Sequence, residues 1–111
     1  MDQLAIVEKI GPNYMLLELK GAMNGYTITE FQEKLYKYIL DSNVVLDLSM
    51  VDSIDYQALG VILSAFNDGE NYGFKLFFMN PSENAKKVFD KTGFNDMFYI
   101  IHSVTEVSDE H

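Results

Sequence analysis

The sequence predicts a single α/β domain built on a mixed β-sheet. Apolar, strand-like segments alternate along the chain with segments of helical periodicity, an order typical of a mostly parallel sheet with helices packed against it. Near the N-terminus, Gly11-Pro12-Asn13 separates two strand-like segments and favours an antiparallel hairpin. The chain has 111 residues and 48% hydrophobic content, enough for the core of one domain spanning residues 1–111.

The first third of the chain predicts the hairpin and one helix. The two strands are residues 4–9 and 14–20, and Gly21 ends the second strand. Thr27 and Glu30 have the spacing of a capping box, which marks the start of a helix. This helix runs to about residue 40, with apolar residues at helical spacing: Ile28, Phe31, Leu35 and Tyr38.

The middle third predicts a central strand and a second helix. Residues 44–48 are apolar and β-branched, a composition typical of a strand covered on both faces. Residues 49–54 are expected to form a loop, and the helix begins near Asp55 or Tyr56. Residues 67–73 are polar, contain glycine and close the helix. Its buried stripe consists of Leu59, Ile62, Leu63 and Phe66.

The last third predicts two more strands and two helices. Residues 74–79 form a strand, and Asn80-Pro81-Ser82 starts a third helix that ends at Gly93. The inward residues of this helix are Ala85, Val88 and Phe89. Residues 97–101 form a short last strand, and Ser103 with Glu106 predicts a final helical turn. The fold is therefore about five strands packed against about four helices.

Composition limits the classes of partner. Acidic residues outnumber basic ones 17 to 8, and the net charge is −9. Nucleic acids and anionic membranes attract basic proteins, so both are unlikely partners, and a basic or mixed protein surface is the natural complement. Cysteine is absent, which excludes disulfides and zinc–thiolate sites. No signal peptide or membrane-spanning run is recognised, so a cytoplasmic protein is expected.

No catalytic pattern is found in the sequence. Neither Gly-rich phosphate-binding motif is present. The histidines are His102, which follows the last strand, and His111, the last residue, and neither has a Ser or Asp partner in a recognisable pattern. The sequence therefore predicts a protein that is not an enzyme and that has no cofactor.

The acidic residues Asp47, Asp52 and Asp55 leave one alternative open. They follow the central strand, where open α/β sheets place ligands, and three carboxylates can hold Mg²⁺. The favoured interpretation is that Asp55 caps the second helix and that the other two are solvated or bond loop amides. A receiver-type phosphoacceptor site at Asp47 is a further alternative. It needs an acidic pair after the first strand, which this sequence lacks, and the opening hairpin also argues against it.

Residues 44–62, VVLDLSMVDSIDYQALGVI, resemble the STAS domain family of bacterial anti-sigma factor antagonists. In that family an apolar strand is followed by a loop and by a helix that opens with Asp-Ser-Ser-Gly-Leu-Gly. The sequence Leu-Lys-Gly-Ala-Met-Asn at 19–24 resembles the family's Leu-x-Gly-x-Leu-Asp. Residues 81–94 resemble the family's later helix, through Lys87-Val88-Phe89-Asp90 and then Thr92-Gly93-Phe94. The resemblance covers nearly the whole chain and implies the STAS fold.

The resemblance also implies a site and marks a departure from the family. The second Ser of the family motif is its regulatory phosphorylation site, and here that position is Gln57, which cannot be phosphorylated. Partner binding without that switch is therefore expected. Ser53, Ser49 and Thr27 are the candidate replacement phosphosites. The implied partner-binding residues are Asn24, Gly25, Tyr26, Asp52, Ser53, Asp55, Tyr56, Gln57, Ala58 and Leu59.

Family resemblance implies two kinds of partner. The first is an anti-sigma factor with a histidine-kinase-like ATPase fold, or a related regulatory kinase or phosphatase. The alternative is a larger assembly, such as a stressosome or a transporter complex, of which this chain is a soluble subunit. The sequence does not decide the oligomeric state.

Overall fold

The computed structural model describes residues 3–109. The elements, in chain order, are β1 (Leu4–Ile10), β2 (Met15–Met23), α1 (Ile28–Ile39), β3 (Val44–Ile54), α2 (Tyr56–Tyr72), β4 (Leu76–Met79), α3 (Glu83–Thr92), β5 (Tyr99–Ile101) and a 3₁₀ helix (Val104–Asp109).

The predicted mixed sheet is confirmed. Five strands lie in the order β1-β2-β3-β4-β5; β1 pairs with β2 antiparallel, and every later pairing is parallel. The helix count differs, since residues 3–109 form three α-helices and a 3₁₀ helix where about four helices are expected. Glu106 does reach back to the start of the last element, where its Oε2 accepts the N–H groups of His102 (2.7 Å) and Ser103 (3.0 Å).

The α-helices all pack on one face of the sheet. Their buried side chains, such as Phe31, Ile62 and Phe89, join inward residues of the strands in the main apolar core. On the other face a smaller cluster includes Val45 and Phe77 and is covered by Val107 of the 3₁₀ helix. The start of α2 follows directly on the carboxyl end of β3.

Strand β3 is longer than the sequence predicts. The expected loop at residues 49–54 is wrong, because β3 continues to Ile54 in register with the end of β2, with the pairs Gly21↔Val51 and Met23↔Ile54. Register shifts within this pairing break the period-two alternation. The polar residues of the segment are exposed while Val51 and Ile54 are buried. Buried and exposed residues therefore do not alternate one by one, and the usual sequence pattern of a strand is absent here.

Gly21 lies inside β2 and does not end it. Its φ is +116°, a conformation that favours glycine, and a β-carbon there would lie 2.3 Å from the backbone oxygen of Gln3. Glycine therefore allows β1 and β2 to approach closely at an irregular point of the sheet, and β2 continues to Met23.

Helix α2 runs past its expected end. Residues 67–72 remain helical, and Gly73 (φ +85°) ends the helix in the left-handed conformation. The polar side chains of this segment lie on the outer face of the helix. A polar segment that contains glycine is easily mistaken for the loop that ends a helix. Of the predicted stripe, Leu59, Ile62 and Phe66 are buried as expected, while Leu63 is only partly buried.

The predicted helix caps have mixed outcomes. Ser82 caps α3 by accepting the N–H of Ala85 (3.2 Å), and Gly93 (φ +80°) ends that helix, both as predicted. The capping box at Thr27 is wrong. Its side chain makes no cap bond, because the hydroxyl donates to the carbonyl of Ala22 (2.8 Å) and accepts the N–H of Asn24 (2.9 Å).

Candidate functional site

The candidate site lies where β2 and β3 end and α2 begins. The parallel pairing places Met23 beside Ile54, so the loop that follows β2 meets the residues that start α2. The N–H of Asp55 donates to the carbonyl of Met23 (3.0 Å), which fastens the two segments together. The sequence-predicted residues from both segments therefore share one edge of the sheet.

Asp55 organises this edge. One carboxylate oxygen accepts the N–H of Ala58 (2.8 Å) and so caps α2, as the sequence predicts. The other accepts the N–H of Gly25 (3.3 Å) in the β2–α1 loop. Because both oxygens bind backbone N–H groups, this carboxylate holds the loop against the helix start.

The β2–α1 loop presents a tyrosine to solvent. The side-chain oxygen of Asn24 accepts the N–H of Tyr26 (2.9 Å), and the hydroxyl of Thr27 accepts the N–H of Asn24 (2.9 Å). These local bonds fix the turn while the side chain of Tyr26 stays fully exposed (100%). Tyr56, the first residue of α2, is 68% exposed. Two aromatic side chains thus stand outward at the candidate site.

The side chain of Gln57, in the first turn of α2, lies against Gly25 of the β2–α1 loop. A β-carbon added to Gly25 would sit 2.4 Å from Oε1 of Gln57, so the carboxamide occupies the space that glycine leaves open. Gln57 is exposed and is the second residue of α2, where unpaired helix N–H groups give a partial positive charge. A neutral polar group therefore stands at a position that favours an anion.

The other predicted contact residues divide by exposure. Asp52 and Ser53 are exposed at the end of β3. Ala58 (0% exposed) and Leu59 (3%) are buried beneath the surface, so their side chains pack into the core. Their place in a partner-contact surface stays a prediction, and any contribution from them would come from beneath the exposed first turn of α2.

Residues 5–107 match the profile of the STAS domain. The chain belongs to the STAS domain family. A comparison with curated protein sequences gives no significant match.

Solved STAS structures share the fold of this domain. The tm1081 protein from Thermotoga maritima is 22% identical, with a TM-score of 0.79, and the match covers 95% of this chain and 92% of that one. SpoIIAA of Bacillus, an anti-sigma factor antagonist in its unphosphorylated form, is 16% identical, with a TM-score of 0.76 and coverages of 94% and 92%. An antagonist from Mycobacterium paratuberculosis is 15% identical, with a TM-score of 0.76 and coverages of 93% and 89%.

The carboxylates of Asp47 and Asp55 in this STAS domain bond to nearby N–H and hydroxyl groups. Asp47 accepts the N–H (3.0 Å) and hydroxyl (2.8 Å) of Ser49, and Asp55 is committed to helix capping. Within residues 3–109 no three His, Asp or Glu side chains are placed to hold a metal ion. The magnesium alternative therefore has no geometric support, and the antiparallel β1 differs from the receiver arrangement.

His102 is exposed beside the 3₁₀ helix, and His111 lies outside the described residues. The hydroxyl of Thr27 is held by loop bonds and that of Ser49 by Asp47. Ser53 is exposed beside Asp52. In the described part of the chain no helix has the length and apolar character to cross a bilayer.

A neighbouring feature that the sequence does not reveal is a cleft between α2 and α3. It is lined by residues from the end of β3, the start of α2 and the second half of α3: Ile54, Asp55, Tyr56, Val88, Lys91 and Thr92. The helical spacing of the last three is visible in the sequence, and the inward prediction for Val88 points to this region. The position of Val88, Lys91 and Thr92 opposite Tyr56 depends on how α3 packs against β3.

Proposed function

We propose that this STAS domain is a non-catalytic regulatory protein that binds a protein partner through the start of α2 and the β2–α1 loop. The partner class is an anti-sigma factor with a kinase-like ATPase fold, or a related regulatory kinase or phosphatase. The proposal includes a cytoplasmic location for the protein. Family membership and the similarity to anti-sigma factor antagonists support this proposal.

The observation that carries the proposal is the arrangement around Gln57. Exposed aromatic side chains are favoured anchors at protein interfaces, and Tyr26 and Tyr56 both stand outward beside it. The surface is held rigid by Asp55, which bonds both segments, so little ordering is needed when a partner docks.

The proposal includes the loss of one regulatory switch. A phosphoserine at the start of a helix adds charge and acceptor oxygens that change what can dock there. Gln57 corresponds by resemblance to that serine, and its carboxamide carries no charge and accepts no phosphate. The domain therefore stays in a state that resembles the unphosphorylated form. Phosphorylation of residue 57 cannot release the partner, because this residue is not a serine.

Affinity purification from the native cells tests the proposal. Immobilised wild-type protein is compared with Gln57→Asp and with Asn67→Asp, which also replaces a neutral carboxamide with a carboxylate on an exposed part of α2. A kinase-like regulatory protein is expected with the wild type and with Asn67→Asp, and at reduced recovery with Gln57→Asp, because the new charge must be desolvated. Equal recovery by all three forms would remove the start of α2 from the interface.

Mass spectrometry of the protein from the same cells tests the missing switch. Residue 57 is expected to be unmodified, and so is the exposed Ser53. Abundant phosphate on Ser53 would show that the switch has moved along the chain.

A further inference from the structure

Asn24 is followed by Gly25, and no other asparagine of the sequence precedes a glycine. The pair lies in the β2–α1 loop, and both residues are partly buried beside the start of α2. Asparagine is a chemically labile residue, which deamidates when the backbone nitrogen of the next residue attacks its side-chain carbonyl carbon. Glycine favours that attack, because it has no β-carbon to crowd the nitrogen and its backbone is the least restricted.

The loop folds the carboxamide of Asn24 over the peptide group that joins it to Gly25. Oδ1 of Asn24 accepts the N–H of Tyr26 (2.9 Å), which closes an Asx turn. The ring closed by this bond contains both Cγ of Asn24 and the nitrogen of Gly25, so the two reacting atoms are kept near each other. The same bond withdraws electrons from Cγ and stabilises the negative charge that Oδ1 gains during the attack.

The nitrogen of Gly25 faces a proton acceptor. Its N–H donates to Oδ2 of Asp55 (3.3 Å). The other oxygen of this carboxylate accepts the N–H of Ala58 (2.8 Å) and caps α2, which fixes the orientation of Oδ2 toward the loop. A carboxylate is a stronger base than the carbonyl oxygens to which backbone N–H groups ordinarily donate, so it takes up this proton as the new bond forms.

Two asparagines of α2 are more exposed than Asn24 but lack this arrangement. Asn67 and Asn71 lie within the helix, where the backbone N–H groups of Asp68 and Tyr72 donate to carbonyl oxygens one turn earlier. Attack by these nitrogens requires local unfolding of the helix. Exposure alone therefore does not select the reactive asparagine.

We propose that Asn24 deamidates in the folded protein and so adds a negative charge to the candidate site. The nitrogen of Gly25 bonds to Cγ of Asn24 and gives its proton to Asp55. The bond from Cγ to the side-chain NH₂ breaks, and the NH₂ group takes up that proton and leaves as ammonia. Water then opens the cyclic imide at either carbonyl group, which leaves aspartate or isoaspartate at residue 24.

The chemical step goes beyond the proposed function, and only its effect on binding rests on that function. Either product places a carboxylate next to Gly25, against which Gln57 packs. This carboxylate and that of Asp55 then flank the same glycine, so the surface gains a charge that a partner must desolvate. Partner recovery is therefore expected to fall as the protein ages.

Peptide mapping of the full chain tests the reaction without a partner. The native protein is aged at neutral pH and physiological temperature, mass spectrometry locates deamidated residues, and an isoaspartate methyltransferase assay detects the second product. Conversion is expected at Asn24 before Asn67 and Asn71. The same protein aged in urea gives the rate without the folded loop. Native conversion at or above that rate supports the inference, whereas native conversion well below it would mean that the loop protects Asn24 and would overturn it.

Two variants test the assignment of the reacting groups. Gly25→Ala should abolish most of the conversion, because its β-carbon crowds the attacking nitrogen, and Gly60→Ala should convert like the wild type. Asp55→Asn keeps an acceptor that caps α2 but removes the base. It should slow conversion by about tenfold, less than a well-placed general base contributes, because the bond from Gly25 is long and a carboxylate is a weak base. Unchanged or faster conversion in Asp55→Asn would overturn the step as written.

The affinity purification separates this inference from the proposed function. Fresh and aged wild-type protein are compared, together with Asn24→Asp, which carries the charge from the start. Reduced recovery with the aged protein and with Asn24→Asp supports both proposals. If Asn24 converts and recovery stays the same, the effect on binding is wrong although the modification site stands. If no regulatory partner is recovered with fresh protein, the proposed function fails, and peptide mapping still decides whether Asn24 deamidates.

Discussion

The side chain of Gln57 lies directly over Gly25. Its Oε1 atom is 2.4 Å from the point at which a β-carbon on residue 25 would sit. Asp55 binds the same glycine through its backbone N–H (3.3 Å). The β2–α1 loop and the start of α2 therefore meet at a residue without a side chain, and the orientation of Gln57 depends on that absence.

Gly25→Ala is expected to displace Gln57 without harming the fold. Gly25 is not among the glycines with positive φ, so alanine fits its backbone, and the group it meets is the flexible end of an exposed side chain. The free energy of unfolding should change by less than about 0.5 kcal/mol. The side-chain NH₂ resonances of Gln57 should shift, and partner binding should weaken. Unchanged resonances would contradict the contact.

Gly60→Ala is the matched control for that change. Gly60 lies in α2, and a β-carbon there meets nothing within 4 Å. Alanine should stabilise the helix by about 0.5–1 kcal/mol, because it loses less conformational freedom on folding. The resonances of Gln57 should stay in place, which separates a local contact from a general effect of adding a methyl group.

Leu59→Ala is expected to lower the free energy of unfolding by about 2–5 kcal/mol. Leu59 is 3% exposed and belongs to the main core, so truncation leaves a cavity under the candidate site. Leu63→Ala, on the same helix but only partly buried, should cost less. Urea denaturation measures both. A loss below about 0.5 kcal/mol for Leu59→Ala would show that the first turn of α2 contributes little to the core.

Much of the fold follows from local sequence patterns. The hairpin, the parallel strands and the helix starts at Asp55 and Ser82 are all signalled by turn residues, periodicity or caps. The misjudged segments share a cause: polar residues on an outer face hide a regular element. Residues 49–54 belong to a strand and residues 67–72 to a helix, and in both the buried neighbours, not the polar ones, decide the structure.

The candidate site is less accessible to prediction than the fold. The cap at Asp55 is a local pattern, so the sequence reveals it. The contact of Gln57 with Gly25 and the bond from Gly25 to Asp55 join residues about thirty positions apart, and they depend on the register of β2 against β3. The cleft at Val88 and Lys91 likewise requires the packing of α3, which no short motif specifies.

The pH dependence of stability should include a contribution from Glu8. Hydrogen bonds from Lys34 and Tyr38 hold the pKa of Glu8 below its ordinary value of 4.5. A carboxyl whose pKa falls on folding stabilises the protein at pH values above its unfolded pKa, and this contribution disappears as the pH falls through the folded pKa. The difference in stability between wild type and Glu8→Gln should therefore be largest near neutral pH and vanish in acid.

The same cluster predicts the opposite trend at high pH. The hydrogen bond to Glu8 raises the pKa of Lys34 above its ordinary value of 10.5. Its contribution is present below the unfolded pKa and is lost as the pH rises through the folded pKa. Unfolding measured across both ranges checks the two signs. A difference between wild type and Glu8→Gln that persists in strong acid would exclude ionised Glu8 as its source.

Gln57→Asp should separate folding from binding. A carboxylate in the first turn of a helix is favoured by roughly 0.3–1 kcal/mol, and the nearby carboxylate of Asp55 offsets part of that gain. The free energy of unfolding should therefore stay equal to the wild-type value or rise slightly, while partner binding weakens. Asn67→Asp, beyond the first turn of α2, should show neither effect. A loss of more than about 1 kcal/mol in Gln57→Asp would mean that the neutral carboxamide over Gly25 supports the fold itself, and reduced binding could then no longer be assigned to the charge.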